Sequence, residues 1–267
     1  MAHLPSDSQR FLDTNRASWD KIALQAKGRT ALPLYGPLAP TEDELHLLGD
    51  LRGQRIIEIG CGSGHSLAWL HAHGAADLYG LDLSDQQIRT AAETCRAQGF
   101  QPTLFCSPME HDPGIPPNHF DLAVSIYALG WSVDLAATLA HIARYLRPGG
   151  SLVFSWEHPV YSCLQTNPHG LLFARSYSEE GPREKLSWKG DPIVMHARKL
   201  STFVNALIDA GFVIERVIEG DLRPASAANA DFPHRWYSQS RARLMPTTLI
   251  IKSRKPTLTP SSPQRHP

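Results

Sequence analysis

The stretch Arg55-Ile56-Ile57-Glu58-Ile59-Gly60-Cys61-Gly62-Ser63-Gly64 is a short apolar run that ends in glycines at alternate positions. A β-branched run closed by glycine reads as a buried strand. Glycines just past such a strand permit a tight turn and let a ligand approach the backbone without meeting a Cβ. The spacing narrows the ligand. A dinucleotide site favours G-x-G-x-x-G, whereas this loop is G-x-G-x-G, with His65 where the third dinucleotide glycine would stand. A carboxylate, Glu58, lies two residues before the first glycine. The segment 77–82 reads as a second strand ending on Asp82, 18 residues beyond Gly64. A carboxylate there can accept hydrogen bonds from a ribose diol, contacts worth roughly 1.5–3 kcal/mol each.

Working outward, strand-like and helix-like segments alternate. Apolar periodicity over 67–70 is stopped by Gly74. Ser84 with Gln87 three residues later predicts a capping-box start, and the helix runs through Ile88, Ala91 and Cys95 to Gly99. Strands are expected at 103–106, 120–126, 151–156, 212–218 and 247–252. Leu135, Leu139, Ile142 and Leu146 share one helical face ahead of Arg147-Pro148-Gly149-Gly150, and a further helix spans 203–210 before Gly211. Such alternation implies an α/β fold with parallel pairing and helices on both faces. Two long interruptions, roughly 158–199 and 220–245, lie where ligands bind in doubly wound sheets and are expected to act as lids. The expected organisation is an N-terminal helical segment over 1–34, one domain over 35–254 and a disordered tail over 255–267, which holds four of the 21 prolines.

Composition excludes several classes. Lys+Arg and Asp+Glu are both 26, so the formal net charge is zero and gives no support to a general nucleic-acid binder or a polybasic membrane protein. The balance is uneven: net +6 from Asp221 onward and −6 before it. The four cysteines form no C-x-x-C pair, which argues against a disulfide framework or a cysteine-built zinc site. Among 13 histidines, His71 and His73 are the one close pair, and i,i+2 on a helix points the rings apart; with no H-E-x-x-H, no metal is expected. The N-terminus lacks the apolar core of a secretory leader, and the apolar stretch from Leu122 to Ala143 reads as strand, turn and helix, so a cytoplasmic protein without a membrane span is expected.

Taken together, the E-x-G-x-G-x-G loop, Asp82, Met109-Glu110 after the third strand, Phe120-Asp121-Leu122, Leu146-Arg147-Pro148-Gly149-Gly150 and Glu157-His158-Pro159 resemble the class I S-adenosylmethionine-dependent methyltransferases, in their small-molecule branch. The resemblance covers most of the chain, from about Tyr35 to Lys252. It implies a Rossmann-like seven-stranded sheet whose last strand is antiparallel. S-adenosylmethionine is the implied cofactor. Its methionine part would lie on the glycine loop (Glu58, Gly60, Cys61, Gly62, Gly64), its ribose on Asp82 with Leu83 and Gln87 alongside, and its adenine beside Met109 and Glu110. Ser125, Ile126 and Tyr127 would sit near the sulfonium. Ser18-Trp19-Asp20 and Tyr35-Gly36 also resemble elements that close over the cofactor.

The implied reaction moves a methyl group to an O, N or C atom of a small acceptor. A general base is needed only if the acceptor is protonated at the working pH. His158, just past the fifth strand, suits that task, or it is a structural histidine that orders the Pro159 turn; both readings stand. Trp131, Tyr161, Tyr177, Trp188, His196, His234, Trp236 and Tyr237 are expected to reach the same region, where they would line the acceptor or pack the lids themselves. Arg235, Arg241 and Arg243 invite the hypothesis that one of them meets an anionic group of the acceptor. Nucleic-acid and glutamine-amide methyltransferases carry an Asn/Asp-Pro-Pro-aromatic motif where this chain has Ser125-Ile126-Tyr127-Ala128. Protein or nucleic-acid methylation, and a cofactor-binding protein that transfers no methyl group, remain the alternatives. The oligomeric state, monomer or homodimer, is left open.

Overall fold

A computed structural model describes residues 6–23, 31–167, 170–188, 190–220 and 236–257; of 6, 166–167, 170 and 186–188 it describes the backbone alone. In chain order the elements are α1 (Ser6–Ala23), α2 (Glu42–Leu45), β1 (Arg55–Ile59), α3 (His65–Ala72), β2 (Asp77–Asp82), α4 (Asp85–Ala97), β3 (Thr103–Cys106) and β4 (Phe120–Ile126). There follow α5 (Leu135–Tyr145), β5 (Leu146–Glu157), the hairpin β6 (Leu164–Asn167) and β7 (Gly170–Phe173), the hairpin β8 (Gly181–Trp188) and β9 (Asp191–Ala197), α6 (Leu200–Asp209), β10 (Val213–Ile218), α7 (Gln239–Ala242) and β11 (Thr248–Arg254).

Seven strands form one sheet in the order β10-β11-β5-β4-β1-β2-β3. β1 pairs in parallel with β2 and β4, while β11 runs antiparallel to both β5 and β10. The order reverses between β1 and β4, and loops leaving the carboxyl ends of these neighbouring strands open a crevice there. Strand alternation sorts the core. Ile57 and Ile59 of β1 join Leu135, Leu139 and Ile142 of α5 on one face, and Ile56 joins Leu67 and Leu70 of α3 on the other. Each fully buried aliphatic side chain contributes about 1.5–3 kcal/mol. Glu58 shares the α3 face and is 2% exposed, a carboxyl where the pattern calls for an apolar residue.

Two local expectations are refined. Ser84 caps α4 by accepting the Gln87 N–H at 3.1 Å, but the Gln87 side chain does not return to the cap; its Oε1 accepts the Ser63 hydroxyl at 2.6 Å. The Ser84 hydroxyl in turn donates to Asp20 at 2.5 Å, tying α1 to the start of α4. Leu146 to Gly150, expected as a helix stop, is already the first part of β5. The first interruption is built of the two hairpins. Most of the second, 221–235, lies outside the described residues, as does the tail over 258–267.

Candidate functional site

The crevice is a cleft of about 680 Å³ over the carboxyl ends of β1, β2 and β4. Its floor is the glycine loop. Gly60 has φ +76°, and a Cβ there would stand 2.2 Å from the Ala128 Cβ, so this position must be glycine on both counts. Gly62 donates its N–H to Asp82 Oδ2 at 2.8 Å, and Ser84 N–H donates to Asp82 Oδ1 at 2.9 Å. Asp82 therefore latches the loop to β2 while keeping lone pairs toward the cleft. Burial raises its pKa to about 6, against the opposing pull of these backbone donors.

Glu58 is more perturbed. Burial, with the Asp82 charge nearby, pushes its carboxyl up to about 8 despite a hydrogen bond from Ser66. Its Oε2 is buried without a partner, on the wall of the cleft. A cationic group of a ligand would satisfy that oxygen. Glu110, expected beside the adenine, lines the same cleft; its Oε1 accepts Val133 N–H at 2.6 Å and its Oε2 is also without a partner. Met109, Leu83, Gln87, Cys61 and Ile126 line the same cleft.

The far end is aromatic. Trp19 of α1 meets Trp131 edge-on at 5.3 Å, and Trp131 meets Trp156 at 5.7 Å. Tyr127 is held at φ +55°, with its hydroxyl 3.0 Å from Thr248 Oγ1. Burial raises its pKa far above the usual phenol range, so it stays neutral. Glu157 reaches in from the end of β5, and its Oε2 accepts both Trp236 Nε1 and the Tyr237 hydroxyl at 2.6 Å. One buried carboxylate thus orients two aromatic walls.

Several expected residues stand elsewhere. His158 is 1% exposed and does not line the cleft. Its Nδ1 accepts Val160 N–H at 3.2 Å, so the proton sits on Nε2, 2.9 Å from Glu219 Oε1. With neither nitrogen free, it is a structural histidine rather than a base at the cleft. His158 lies just past β5, where its N–H donates to the Thr247 carbonyl at 2.9 Å and its ring turns to Glu219 instead of the cleft. Tyr35 is fully buried, donating to Glu42 Oε2 at 2.6 Å, and belongs to the core. Its neighbour Gly36 leaves room for the Tyr127 ring, which a Cβ would meet at 2.4 Å.

Gly64 packs α3 on α4, with Ala91 3.0 Å from where its Cβ would be, and Ser125 turns away to donate to the Ile59 carbonyl at 2.8 Å. Tyr161 stands behind the wall, stacked on Tyr237 at 5.9 Å, and Tyr177 accepts the Leu200 N–H at 2.9 Å as a brace for α6. The Trp188 side chain, His234 and Arg235 lie outside the described residues. Arg241 is 5% exposed, with its guanidinium 4.5 Å from the Trp236 ring, and Arg243 is exposed on the turn after α7. Neither lines the cleft. His196 lines a second, adjoining cavity. Lys185 and Met195, unremarked in the sequence, come from the β8–β9 hairpin. Among the described residues no set of three His, Cys, Asp or Glu gathers as a metal site, and no helix is long and apolar enough to cross a membrane.

Comparison with known proteins fits this geometry. Residues 57–154 match the model of a methyltransferase domain. The crystal structure of an S-adenosylmethionine-dependent methyltransferase from Mesorhizobium loti is 34% identical, with a TM-score of 0.64, over 79% of this chain and 94% of that one. This chain belongs to the class I S-adenosylmethionine-dependent methyltransferases. The methyl-donor cofactor of this family is S-adenosylmethionine. Within it, this methyltransferase is 28% identical to a trans-aconitate 2-methyltransferase of Azoarcus over 68% of this chain and 74% of that one. It is 27% identical to a ubiquinone biosynthesis O-methyltransferase of Bordetella avium over 48% of this chain and 50% of that one. The donors of the cleft fit the cofactor: an unpartnered buried carboxylate oxygen suits an ammonium, a latched aspartate suits a diol, and a glycine floor admits a close approach.

Proposed function

We propose that this protein transfers a methyl group from S-adenosylmethionine to a small-molecule acceptor seated at the aromatic end of the cleft. The observation that carries the reading is the polarity of that cleft. Two perturbed carboxyls and a glycine floor stand at one end, and Trp131, Trp156, Trp236 and Tyr237 stand at the other. Glu58, Asp82 and Glu110 would hold the cofactor's ammonium, ribose and adenine ends. When bound, the cofactor supplies an electrophilic methyl group on a sulfonium. The remaining work belongs to this chain: excluding water and aligning the acceptor, which together contribute roughly 7–11 kcal/mol for a well-oriented displacement.

The relatives named for small acceptors, a trans-aconitate methyltransferase and a ubiquinone biosynthesis O-methyltransferase, support a small-molecule acceptor. A cytoplasmic location is part of the same reading. With His158 engaged at both nitrogens, the acceptor is one that reacts without His158 as its base. Calorimetry with S-adenosylhomocysteine tests the donor half: micromolar affinity is expected, lost in Asp82→Ala, and tight NADH binding in its place would overturn the reading. A panel of small acceptors with methyl-labelled cofactor tests the other half. Cofactor binding with no label transferred to any small molecule would favour macromolecular methylation or a non-methylating role.

A further inference from the structure

Beside the main cleft lies a second cavity of about 160 Å³. The two share Trp156, Glu157, Lys185, Met195 and Trp236, so the cavity adjoins the aromatic end of the cleft. The walls of that cavity are cationic: Arg175 from the loop after β7, Arg183 and Lys185 from β8, and Arg198 just past β9. β8 presents Arg183 opposite Met195 and Lys185 opposite Ile193, so both cations share one face of the hairpin. Glu184 between them points to the other face and pairs with Arg10 at 2.7 Å.

These charges are compensated only in part, Lys185 by Glu157 and Arg198 by Glu110, Glu180 and Asp134. Among the described residues, none of the four has a carboxylate within ion-pair distance. Arg183 spends one N–H on the Glu179 carbonyl at 3.2 Å, and Arg198 keeps a buried Nη1 with no partner. The single carboxylate at the junction, Glu157, already accepts two hydrogen bonds from Trp236 and Tyr237. His196 adds no charge, because burial and Arg198 hold its pKa down to about 4. The Lys185 ammonium is itself pushed down, by burial first and also by Arg175 and Arg183, against the opposing pull of the Glu157 charge. Four cations line the cavity against one carboxylate, Glu157, and such an excess of partly buried positive charge favours an anion.

We propose that the methyl acceptor carries an anionic group, a carboxylate or a phosphate, which seats in this side cavity on Arg175, Arg183 and Lys185 while its reacting atom lies in the main cleft. The inference rests on the donor reading of the cleft and specifies the acceptor class for it. The cations come from the hairpin insertion, not from Arg241 or Arg243 of the C-terminal segment. A cavity this small takes one terminal acid group of a small molecule and excludes a polymer.

The test is calorimetric titration of the protein with tricarballylate and with inorganic phosphate, with and without saturating S-adenosylhomocysteine. Saturable binding of at least one anion is expected, weakened about tenfold or more in Arg175→Gln/Arg183→Gln. Affinity for S-adenosylhomocysteine should stay unchanged in that variant, which also reports that it is folded. Arg183→Lys, which keeps the charge, should retain most of the binding. The preferred anion separates a carboxylate site from a phosphate site. No binding of either anion up to tens of millimolar, or binding indifferent to the double substitution, overturns the proposal. If the anions bind and the variant loses them while S-adenosylhomocysteine binds neither protein, the donor reading falls and the anion site stands.

Discussion

Glu58 offers the sharpest quantitative test of the cleft. Its carboxyl is 2% exposed, its Oε2 has no partner, and its pKa stands at about 8 against an ordinary 4.5. A raised carboxyl binds its proton more tightly in the folded state than in the unfolded one. Stability is therefore unaffected at pH 4 and falls as pH rises from about 4.5, levelling off above 8. The full loss is at most roughly 4–5 kcal/mol at 1.36 kcal/mol per unit. Glu58→Gln keeps the shape and removes the titration. Thermal unfolding from pH 5 to 9 should find the variant close to wild type at the acid end and progressively more stable toward pH 9.

Cofactor binding should show the opposite trend. A cationic ammonium binds the ionised carboxyl, so affinity for S-adenosylhomocysteine should rise about 50-fold between pH 6 and 8 in the wild type. Calorimetry at pH 7 in buffers of different ionisation enthalpy should count about one proton released on binding. Glu58→Gln should flatten the pH dependence and bind more weakly at pH 8. If the variant parallels wild type in both stability and affinity across this range, Glu58 is neither buried uncharged nor a partner of the ligand, and the reasoning fails.

Gly60→Ala should lower stability by about 2 kcal/mol or more, from its φ of +76° and the 2.2 Å approach to Ala128, and abolish S-adenosylhomocysteine binding; urea unfolding and calorimetry read both. His158→Asn should cost about 1–3 kcal/mol of stability through the lost Glu219 and Val160 contacts, yet leave the shape of the pH–rate profile intact; loss of a basic limb would restore His158 as the base. Glu157→Gln weakens two hydrogen bonds to Trp236 and Tyr237, so it should raise KM for the acceptor well before it alters cofactor affinity. Gly130→Ala would drive a Cβ to 1.7 Å from the Trp156 ring, and should collapse the aromatic wall or the fold itself, visible as lost near-UV circular dichroism.

The nucleotide half of the site was legible because it is local. Glu58, the glycines and Asp82 lie at the ends of consecutive strands, where period-two patterning and turn chemistry already fix their position. The errors there have local causes too: Gly64 faces a helix and Ser125 faces a neighbouring strand, and only packing distinguishes those surfaces from the cleft. His158 and Glu157 show the limit of a motif. Both belong to the same tripeptide, but which one enters the cleft depends on partners distant in sequence: Glu157 meets Trp236 and Tyr237, and His158 meets Glu219. The acceptor half was legible only in part, with Trp131, Trp236 and Tyr237 expected at the cleft and Trp156, Lys185 and Met195 not, because it is assembled from distant segments. Trp19, Trp131, Lys185 and Trp236 come from α1, the turn after β4, a hairpin and the segment before α7.

By itself, then, the sequence indicated the succession of seven strands along the chain, the family, and the glycine loop with Glu58 and Asp82 at the strand ends, since each is written in contiguous patterns of alternation and spacing. The tertiary structure alone decided that Glu58 is buried with an unsatisfied oxygen, that both nitrogens of His158 are engaged, and that Arg175, Arg183 and Lys185 line one side cavity. Desolvation and long-range charge depend on what stands across a cavity, and no local pattern encodes that.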